Sequence, residues 1–309
     1  MARWNRDARR RALTLIEILV VLGSLALLFA LLLPAVQAAR EAARRLQCQN
    51  SLRQQGLALT MYADVLGAFP PGWNSFGLGW SAAILPYVDQ QALFEQIQFQ
   101  SNSSGDWESA TGNAPVIQQV VPLFRCPSMK VPEHMRSNRL SSRVPGSYRG
   151  NAGTEATSDD RSTLVIPGSK SLEDPRQDGI FFACSRVRPA ELSRGLSNTW
   201  TLLESRTDPE FIKDGQAMDY WYIGSPQIDG CRCDGGTVGS EFSEFVGTTY
   251  SRLNASRRDP HLHGVLMELA FGSYHAGGAF ALRADGGVSF IDDAIDLAAY
   301  RAQSTRLSP

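Results

Sequence analysis

The stretch Arg9-Arg10-Arg11-Ala12-Leu13-Thr14-Leu15-Ile16-Glu17 leads directly into an almost unbroken apolar run from Ile18 to Leu33. Glu17 is the only charged residue between Leu13 and Val36. In an α-helix that rises about 1.5 Å per residue, this segment extends roughly 36 Å, which exceeds the ~30 Å hydrocarbon core of a bilayer. The sequence therefore predicts a transmembrane helix over residues 13–36.

The residues in front of this segment, 1–12, form a basic leader. They carry five arginines and a single acid, Asp7. Arginine-rich segments stay on the cytoplasmic side of a membrane, so the leader predicts a single-pass protein with a cytoplasmic N-terminus. Residues 37–309 are then expected on the opposite, exoplasmic side.

Glu17 is the unusual residue of the apolar segment. A carboxylate inside a membrane costs roughly 2.5 to 3.5 kcal/mol on insertion scales, and a partner charge is the natural compensation. A second interpretation is local, because Thr14-Leu15-Ile16-Glu17 has the spacing of a capping box. Capping accounts for a helix start at this point, but not for the choice of an acid within an apolar segment.

The basic residues, Ala12-Leu13-Thr14-Leu15-Ile16-Glu17 and the apolar run together resemble the leader junction of type IV prepilins and type II secretion pseudopilins. The resemblance implies cleavage between Ala12 and Leu13 by a prepilin peptidase and methylation of the new amine. It also implies that Glu17 pairs with the N-terminal amine of a neighbouring subunit and that Pro34 kinks the helix. Ala12 departs from the family pattern, since most members have glycine there.

Two other interpretations of this N-terminal region remain open. An ordinary secretory signal also has a basic start and an apolar core, and Val36-Gln37-Ala38 offers a small-residue cleavage site. An uncleaved membrane anchor is the other alternative. The length of the apolar core and the acid at its head favour the prepilin interpretation.

The helix is predicted to continue beyond the membrane over residues 37–68, which begin with strong helix formers. A mostly apolar stripe with three- and four-residue spacing indicates a face that docks on a globular domain. Gly67 and Pro70-Pro71-Gly72 mark the end of the helix. The members of the stripe are Cys48, Leu52, Gln55, Gly56, Leu59, Tyr62, Ala63 and Leu66.

Residues 69–309 are predicted to form an exported α+β domain with an antiparallel sheet packed on the helix and loop-rich blocks at 128–178 and 207–258. Strands are expected at Ile180–Val187 and Trp200–Leu203. The clearest signal is Asp285-Gly286 between the apolar stretches Ala279–Ala284 and Gly287–Ile291, which predicts a hairpin. A final helix is expected to be capped by Asp292 or Asp293.

Several segments of this domain resemble the family of domain of unknown function 1559, whose members carry prepilin-type leaders and have been filed with solute-binding proteins. The resemblance covers nearly the whole chain. It rests on Gly146–Gly153, on Asp178–Phe182 through Gly195–Thr199, and on His275-Ala276-Gly277-Gly278 with Ala284-Asp285-Gly286. From it we take His275, Gly277, Gly278, Asp285 and Gly286 as a candidate structural or ligand-binding group.

The chain has five cysteines, in an exported region where disulfides form readily. Up to two disulfides are expected, and the connectivity does not follow from the sequence. The candidates for pairing are Cys126, Cys184, Cys231 and Cys233, while Cys48 also belongs to the apolar stripe of the helix.

No catalytic or phosphate-binding motif is present in the sequence, so no enzymatic activity is predicted. Removing the leader leaves 25 basic and 30 acidic residues, a balance that argues against nucleic-acid binding. No metal or other cofactor is expected. Zinc at Cys231, Cys233, His261 and His263 does not match a common module, whereas calcium at loop aspartates remains open for Asp229, Asp234, Asp292, Asp293 and Asp296.

These observations predict a non-enzymatic pilin- or pseudopilin-like subunit in a bacterial cytoplasmic membrane. Its expected partners are the prepilin peptidase, the membrane itself, and other subunits in a type IV pilus or a type II secretion pseudopilus. The alternative is a membrane-anchored exoplasmic protein that binds a ligand or solute with its loops.

Overall fold

The structure is a computed structural model that describes residues 14–99, 112–137, 140–158, 166–206, 219–221, 242–255 and 268–308. The chain divides into two compact units, residues 1–44 and residues 45–309. One helix, α1 (Leu15–Leu66), begins in the first unit and ends in the second.

In the first unit, α1 is apolar and exposed on all sides. All residues from 15 to 40 are exposed, including Phe29 and Leu33. Within the described residues, α1 is the one helix long and apolar enough to cross a membrane. Its apolar surface therefore suits a lipid environment or other apolar helices, which agrees with the transmembrane prediction.

In the second unit, α1 buries one face. Cys48, Leu52 and Leu59 are fully or almost fully buried, with Gln55, Gly56, Ala58 and Ala63 on the same face. Leu66, which the stripe included, is instead half exposed because it lies in the last turn. There Gly67 takes a positive φ of 76°, and its N–H donates to the Ala63 carbonyl oxygen at 2.8 Å, which ends the helix.

The central sheet of the second unit has five strands in the order β7-β3-β6-β8-β9. Neighbours pair antiparallel, except that β3 and β7 are parallel. Four shorter strands form two small two-stranded sheets. The strands of the described residues, in chain order, are β1 Met135–Ser137, β2 Leu140–Arg143, β3 Tyr148–Asn151, β4 Ala156–Ser158, β5 Lys170–Ser171, β6 Trp200–Glu204, β7 Val246–Gly247, β8 Gly278–Arg283 and β9 Val288–Asp292.

Short helices complete the described part of this unit. Their bounds are α2 Trp80–Ala83, α3 Gln91–Phe94, α4 Ala114–Ile117 and α5 Leu297–Ala302, with 3₁₀ turns at Leu85–Tyr87, Pro122–Phe124, Pro189–Glu191, Leu196–Asn198 and Phe242–Glu244. The fold is thus α+β, with a long N-terminal helix and a sheet dominated by antiparallel pairs, as predicted.

The sheet has a hydrophobic core on each face. Alternate strand residues point to opposite sides, so neighbouring residues of one strand join different cores. Along β8, Phe280 and Leu282 join the main core, which also contains the buried face of α1. Ala279 and Ala281 join a second core together with Tyr300 of α5.

The predicted hairpin is confirmed as β8 and β9, but two local predictions are wrong. Ile180–Val187 is not a strand. It is a buried irregular segment, and the N–H groups of Ile180 and Phe181 both donate to the Asn151 carbonyl oxygen. The final helix α5 is capped by Asp296, because Asp292 is the last residue of β9 and its carboxylate accepts the Ala294 N–H at 2.7 Å.

Candidate functional site

The start of α1 is a complete capping box. The backbone N–H and the hydroxyl of Thr14 donate to Glu17 Oε2 at 2.8 and 3.0 Å, and the Glu17 N–H points at Thr14 Oγ1 at 3.3 Å. Both donors to the carboxylate are neutral groups. The geometry thus explains why the helix begins here, and it leaves the negative charge of Glu17 without a counter-charge from Thr14.

The other residues of the predicted N-terminal site have different outcomes. Ala12 and Leu13 lie outside the described residues. Pro34 lies inside α1, which continues through it as helix. Because proline has no N–H, the helical hydrogen bond to the residue four positions earlier is absent there. The predicted kink at Pro34 stays a prediction.

A disulfide joins α1 to the loop that precedes the sheet. Cys48, in the buried face of α1, is bonded to Cys126, which is 78 positions later in the sequence, and the two Cα atoms are 5.5 Å apart. The backbone N–H of Cys126 donates to the hydroxyl of Ser147, just before β3. Cys126 was among the residues predicted to form a disulfide, whereas its partner Cys48 was not.

His275 lies directly against this disulfide. Its Nε2 atom is 3.5 Å from Cys126 Sγ and 3.6 Å from Glu204 Oε1, and its side chain is fully buried. The backbone N–H of His275 donates to Ser273 Oγ at 3.1 Å, and the imidazole ring packs edge-on against Phe280. We refer to Cys48, Cys126, Glu204 and His275 as the buried cluster.

Glu204 ends strand β6 and is buried beside the sheet. Its Oε2 atom accepts the N–H of Phe280 in the neighbouring strand at 2.8 Å, which leaves Oε1 toward His275. Tyr148 lies opposite Glu204 in the β3–β6 register. Burial, reinforced by the Glu204 charge, raises the pKa of the Tyr148 hydroxyl well above its usual value.

The candidate group around His275 is divided by the structure into two places. Gly277 and Gly278 follow His275 at the start of β8, whereas Asp285 and Gly286 form the turn at its other end. Six strand residues at about 3.3 Å each separate these ends by roughly 20 Å. His275 and Asp285 therefore do not share one ligand site.

Both places lie along the buried face of α1. Near the His275 end, Arg45 donates to the Ala276 carbonyl oxygen at 2.6 Å. Near the turn, a Cβ atom on Gly56 would stand 2.7 Å from Leu282 Cδ1 and 3.4 Å from Gly286 Cα. The two halves of the motif thus bracket the strand on which the helix lies.

One glycine and one aspartate have clear backbone roles at these ends. Gly278 packs so close to β9 that a Cβ atom there would stand 1.9 Å from the Ile291 carbonyl oxygen. In the turn, the partial burial of Asp285 opposes its ionisation, but the Gly287 N–H, which donates at 2.8 Å, and the Arg283 charge lower the pKa of its carboxyl below the usual value. Asp285 is therefore a turn-forming residue.

A comparison with protein-family models identifies the family of this chain. The model of the family described as protein of unknown function (DUF1559) matches residues 37–298. The chain belongs to this family. The DUF1559 match begins immediately after the apolar segment and includes all four residues of the buried cluster. No curated protein and no solved structure shows significant similarity to the chain.

Some of the remaining cysteine and metal-ligand candidates of this DUF1559 chain lie outside the described residues. Cys184 is in a disulfide. Among the calcium candidates, Asp292 and Asp296 accept backbone N–H groups, and Asp293 accepts the side-chain amide of Asn254. The predictions for Cys231, Cys233, His261, His263, Asp229 and Asp234 all fall on residues outside the described part.

Several buried charged residues escaped the sequence analysis. Arg143 pairs with Glu244 at 2.6 Å, and Arg149 pairs with Asp219, all of them almost completely buried. No local motif marks these residues, because their partners are 70 or more positions away. Glu204 did carry a signal, since it is a charged residue directly after the mostly apolar strand residues 200–203.

Proposed function

We propose that this protein is a non-enzymatic pilin- or pseudopilin-like subunit. A prepilin peptidase cuts between Ala12 and Leu13, and the mature chain assembles through its N-terminal helix into a type IV pilus or a type II secretion pseudopilus. The DUF1559 match and the apolar helix support a membrane-anchored exported protein. The subunit role rests on the following features of α1.

The observation that carries the proposal is the position of the Glu17 carboxylate and the neutral character of its hydrogen-bond donors. Its carboxylate stands at the head of an exposed apolar helix and receives hydrogen bonds from neutral donors of Thr14. In a membrane, such a charge calls for a cation nearby. Cleavage after Ala12 creates an amine one residue before Thr14, and the same amine on a neighbouring subunit supplies a cation at the same depth.

The outward face of α1 in the second unit gives further support. Leu57, Met61 and Val65 recur at four-residue spacing and are 63%, 43% and 70% exposed. This apolar row lies on the same helix as the exposed apolar segment, so one continuous element offers apolar surface on both sides of the unit boundary. Packing of α1 against the helices of other subunits covers this surface.

The test starts with the N-terminal sequence and mass of the mature protein, recovered from membranes with and without prepilin peptidase. The proposal expects a methylated N-terminus at Leu13 that depends on the peptidase. A mature N-terminus near Ala39 would falsify the proposal, because Glu17 would then be removed with a signal peptide.

A variant pair tests assembly separately from processing. Glu17→Ala is expected to be cleaved and folded normally but to abolish incorporation into filaments, because the charge pair loses one partner. Glu41→Ala is the matched control, since Glu41 lies on the same helix but pairs at 2.6 Å with Arg44 of its own chain. Equal incorporation of both variants into filaments would show that Glu17 has no role in assembly.

A second function is favoured by one feature, a cavity of about 400 Å³ beside the C-terminal end of α1. It is lined by aromatic and polar groups that include Tyr62, Phe69, Asn74 and Arg186. This volume is within the range of small-molecule sites, which supports an anchored exoplasmic ligand-binding protein. A phenotype that is independent of Glu17, together with a defined ligand whose binding is lost in Arg186→Ala, identifies this alternative.

A further inference from the structure

The buried cluster brings together four ligand atoms of the kinds that zinc prefers. Within the described residues, the two sulfurs, a carboxylate oxygen of Glu204 and a ring nitrogen of His275 all lie within 4.8 Å of one another. Cys48 and His275 are 0% exposed, Glu204 is 1% exposed and Cys126 is 2% exposed. Two sulfurs, one imidazole and one carboxylate form a four-ligand set that suits tetrahedral zinc.

The setting of these atoms has the features of a supported metal site. Glu204 Oε2 is held at 2.8 Å by the Phe280 N–H, which directs Oε1 toward His275. Hydrogen bonds of this kind orient the ligands of protein metal sites from outside the first coordination sphere.

We propose that the buried cluster is a redox-exchangeable zinc site. In the oxidised protein, Cys48 and Cys126 form the disulfide seen here. A dithiol reduces that bond with two electrons and two protons and becomes a disulfide itself. One Zn²⁺ then displaces the two thiol protons and binds both thiolates, His275 Nε2 and Glu204 Oε1.

The proposed zinc site would attach α1 to the rest of the second unit. Cys48 belongs to the helix, whereas the other three ligands belong to the domain on which the helix lies. The disulfide and the zinc ion therefore make the same cross-link in two redox conditions. Before oxidation of the two cysteines, zinc holds the helix in place, and oxidation releases the metal without releasing the helix.

The experiment uses the full chain in the membranes of two bacterial hosts, one with and one without its exoplasmic disulfide-forming enzyme. The protein is purified in detergent micelles, and the amount of zinc per chain is measured by inductively coupled plasma mass spectrometry. Alkylation and peptide mass spectrometry report the thiol state of Cys48 and Cys126. We expect about one zinc per chain in the host that lacks the enzyme, and none at this site in the other host.

Variants locate the metal and separate ligation from packing. Cys48→Ser with Cys126→Ser, and His275→Ala, should lose the zinc, whereas His275→Cys should retain it because a thiolate replaces the imidazole. Glu204→Gln keeps the size of the side chain and should weaken zinc retention about 10-fold or more. Cobalt substitution of the reduced protein gives a thiolate charge-transfer absorption, which reports the site even in a less stable variant.

Two outcomes overturn the proposal. One is reduced wild-type protein, with free thiols at Cys48 and Cys126, that contains no zinc and takes up none from zinc-containing buffer. The other is zinc whose amount is the same in the double cysteine variant and in His275→Ala, which places the metal elsewhere in the chain.

Discussion

The two parts of α1 follow one helical path but obey different rules of sequence. Residues 15–40 are mostly apolar and all exposed, whereas the buried residues Cys48, Leu52, Gln55, Leu59 and Ala63 recur at three- and four-residue spacing between more exposed positions. A helix in an apolar solvent needs no preferred face, while a helix that lies on a domain does. The two patterns of burial thus predict different effects of substitution in the two parts of α1.

The largest expected effect is the loss of the covalent link between α1 and the domain. In the oxidised protein, Cys48→Ser with Cys126→Ser should lower the free energy of unfolding of the second unit by about 4 kcal/mol, because the disulfide closes a long loop. Chemical denaturation in detergent micelles, followed by tryptophan fluorescence, measures this loss. A change below about 1 kcal/mol would show that noncovalent contacts alone hold the helix.

A smaller effect is expected from a matched pair of leucines on opposite faces of the second part of α1. Leu52 is 0% exposed and Leu57 is 63% exposed. Leu52→Ala should cost about 3 kcal/mol of unfolding free energy through a cavity, and Leu57→Ala within about 0.5 kcal/mol. The two variants share the same change in helix propensity, so similar losses would contradict the assigned faces.

The smallest expected effect comes from two glycines, one in each part. A Cβ atom on Gly56 meets Leu282 at 2.7 Å, whereas a Cβ atom on Gly23 meets nothing within 4 Å. Gly56→Ala should destabilise the second unit by about 1 kcal/mol, because crowding outweighs the gain in helix propensity. Gly23→Ala should leave the unfolding of that unit unchanged; a matching loss there would mean that the first part also packs tightly.

The sequence was most informative where the structural signal is local. Asp285-Gly286 between two apolar stretches predicted the β8–β9 hairpin, and the spacing from Cys48 to Ala63 predicted the buried face of α1. The spacing of Thr14 and Glu17 likewise predicted the capping box that the structure shows. Each of these features depends on residues within a few positions of one another.

The errors occur where distant parts of the chain decide the outcome. Ile180–Val187 has the composition of a strand, but its first N–H groups bond to Asn151, and the mostly buried segment forms an isolated bridge between Ala183 and Trp73 instead of a strand. The pairing of Cys48 with Cys126 and the approach of Glu204 to His275 depend on the assembled sheet. No periodicity along the chain encodes such contacts.

The position of the disulfide in α1 also has a mechanical meaning. Cys48 is the first fully buried residue of the helix, and one turn before it Arg45 donates to the Ala276 carbonyl oxygen and lies over the Phe290 ring. A pull on the N-terminal end of α1 therefore loads a covalent bond before it reaches the packed turns around Leu52, Gly56 and Leu59. A covalent bond at this position would take up tension along the helix first, which favours retention of the buried face on the sheet under load.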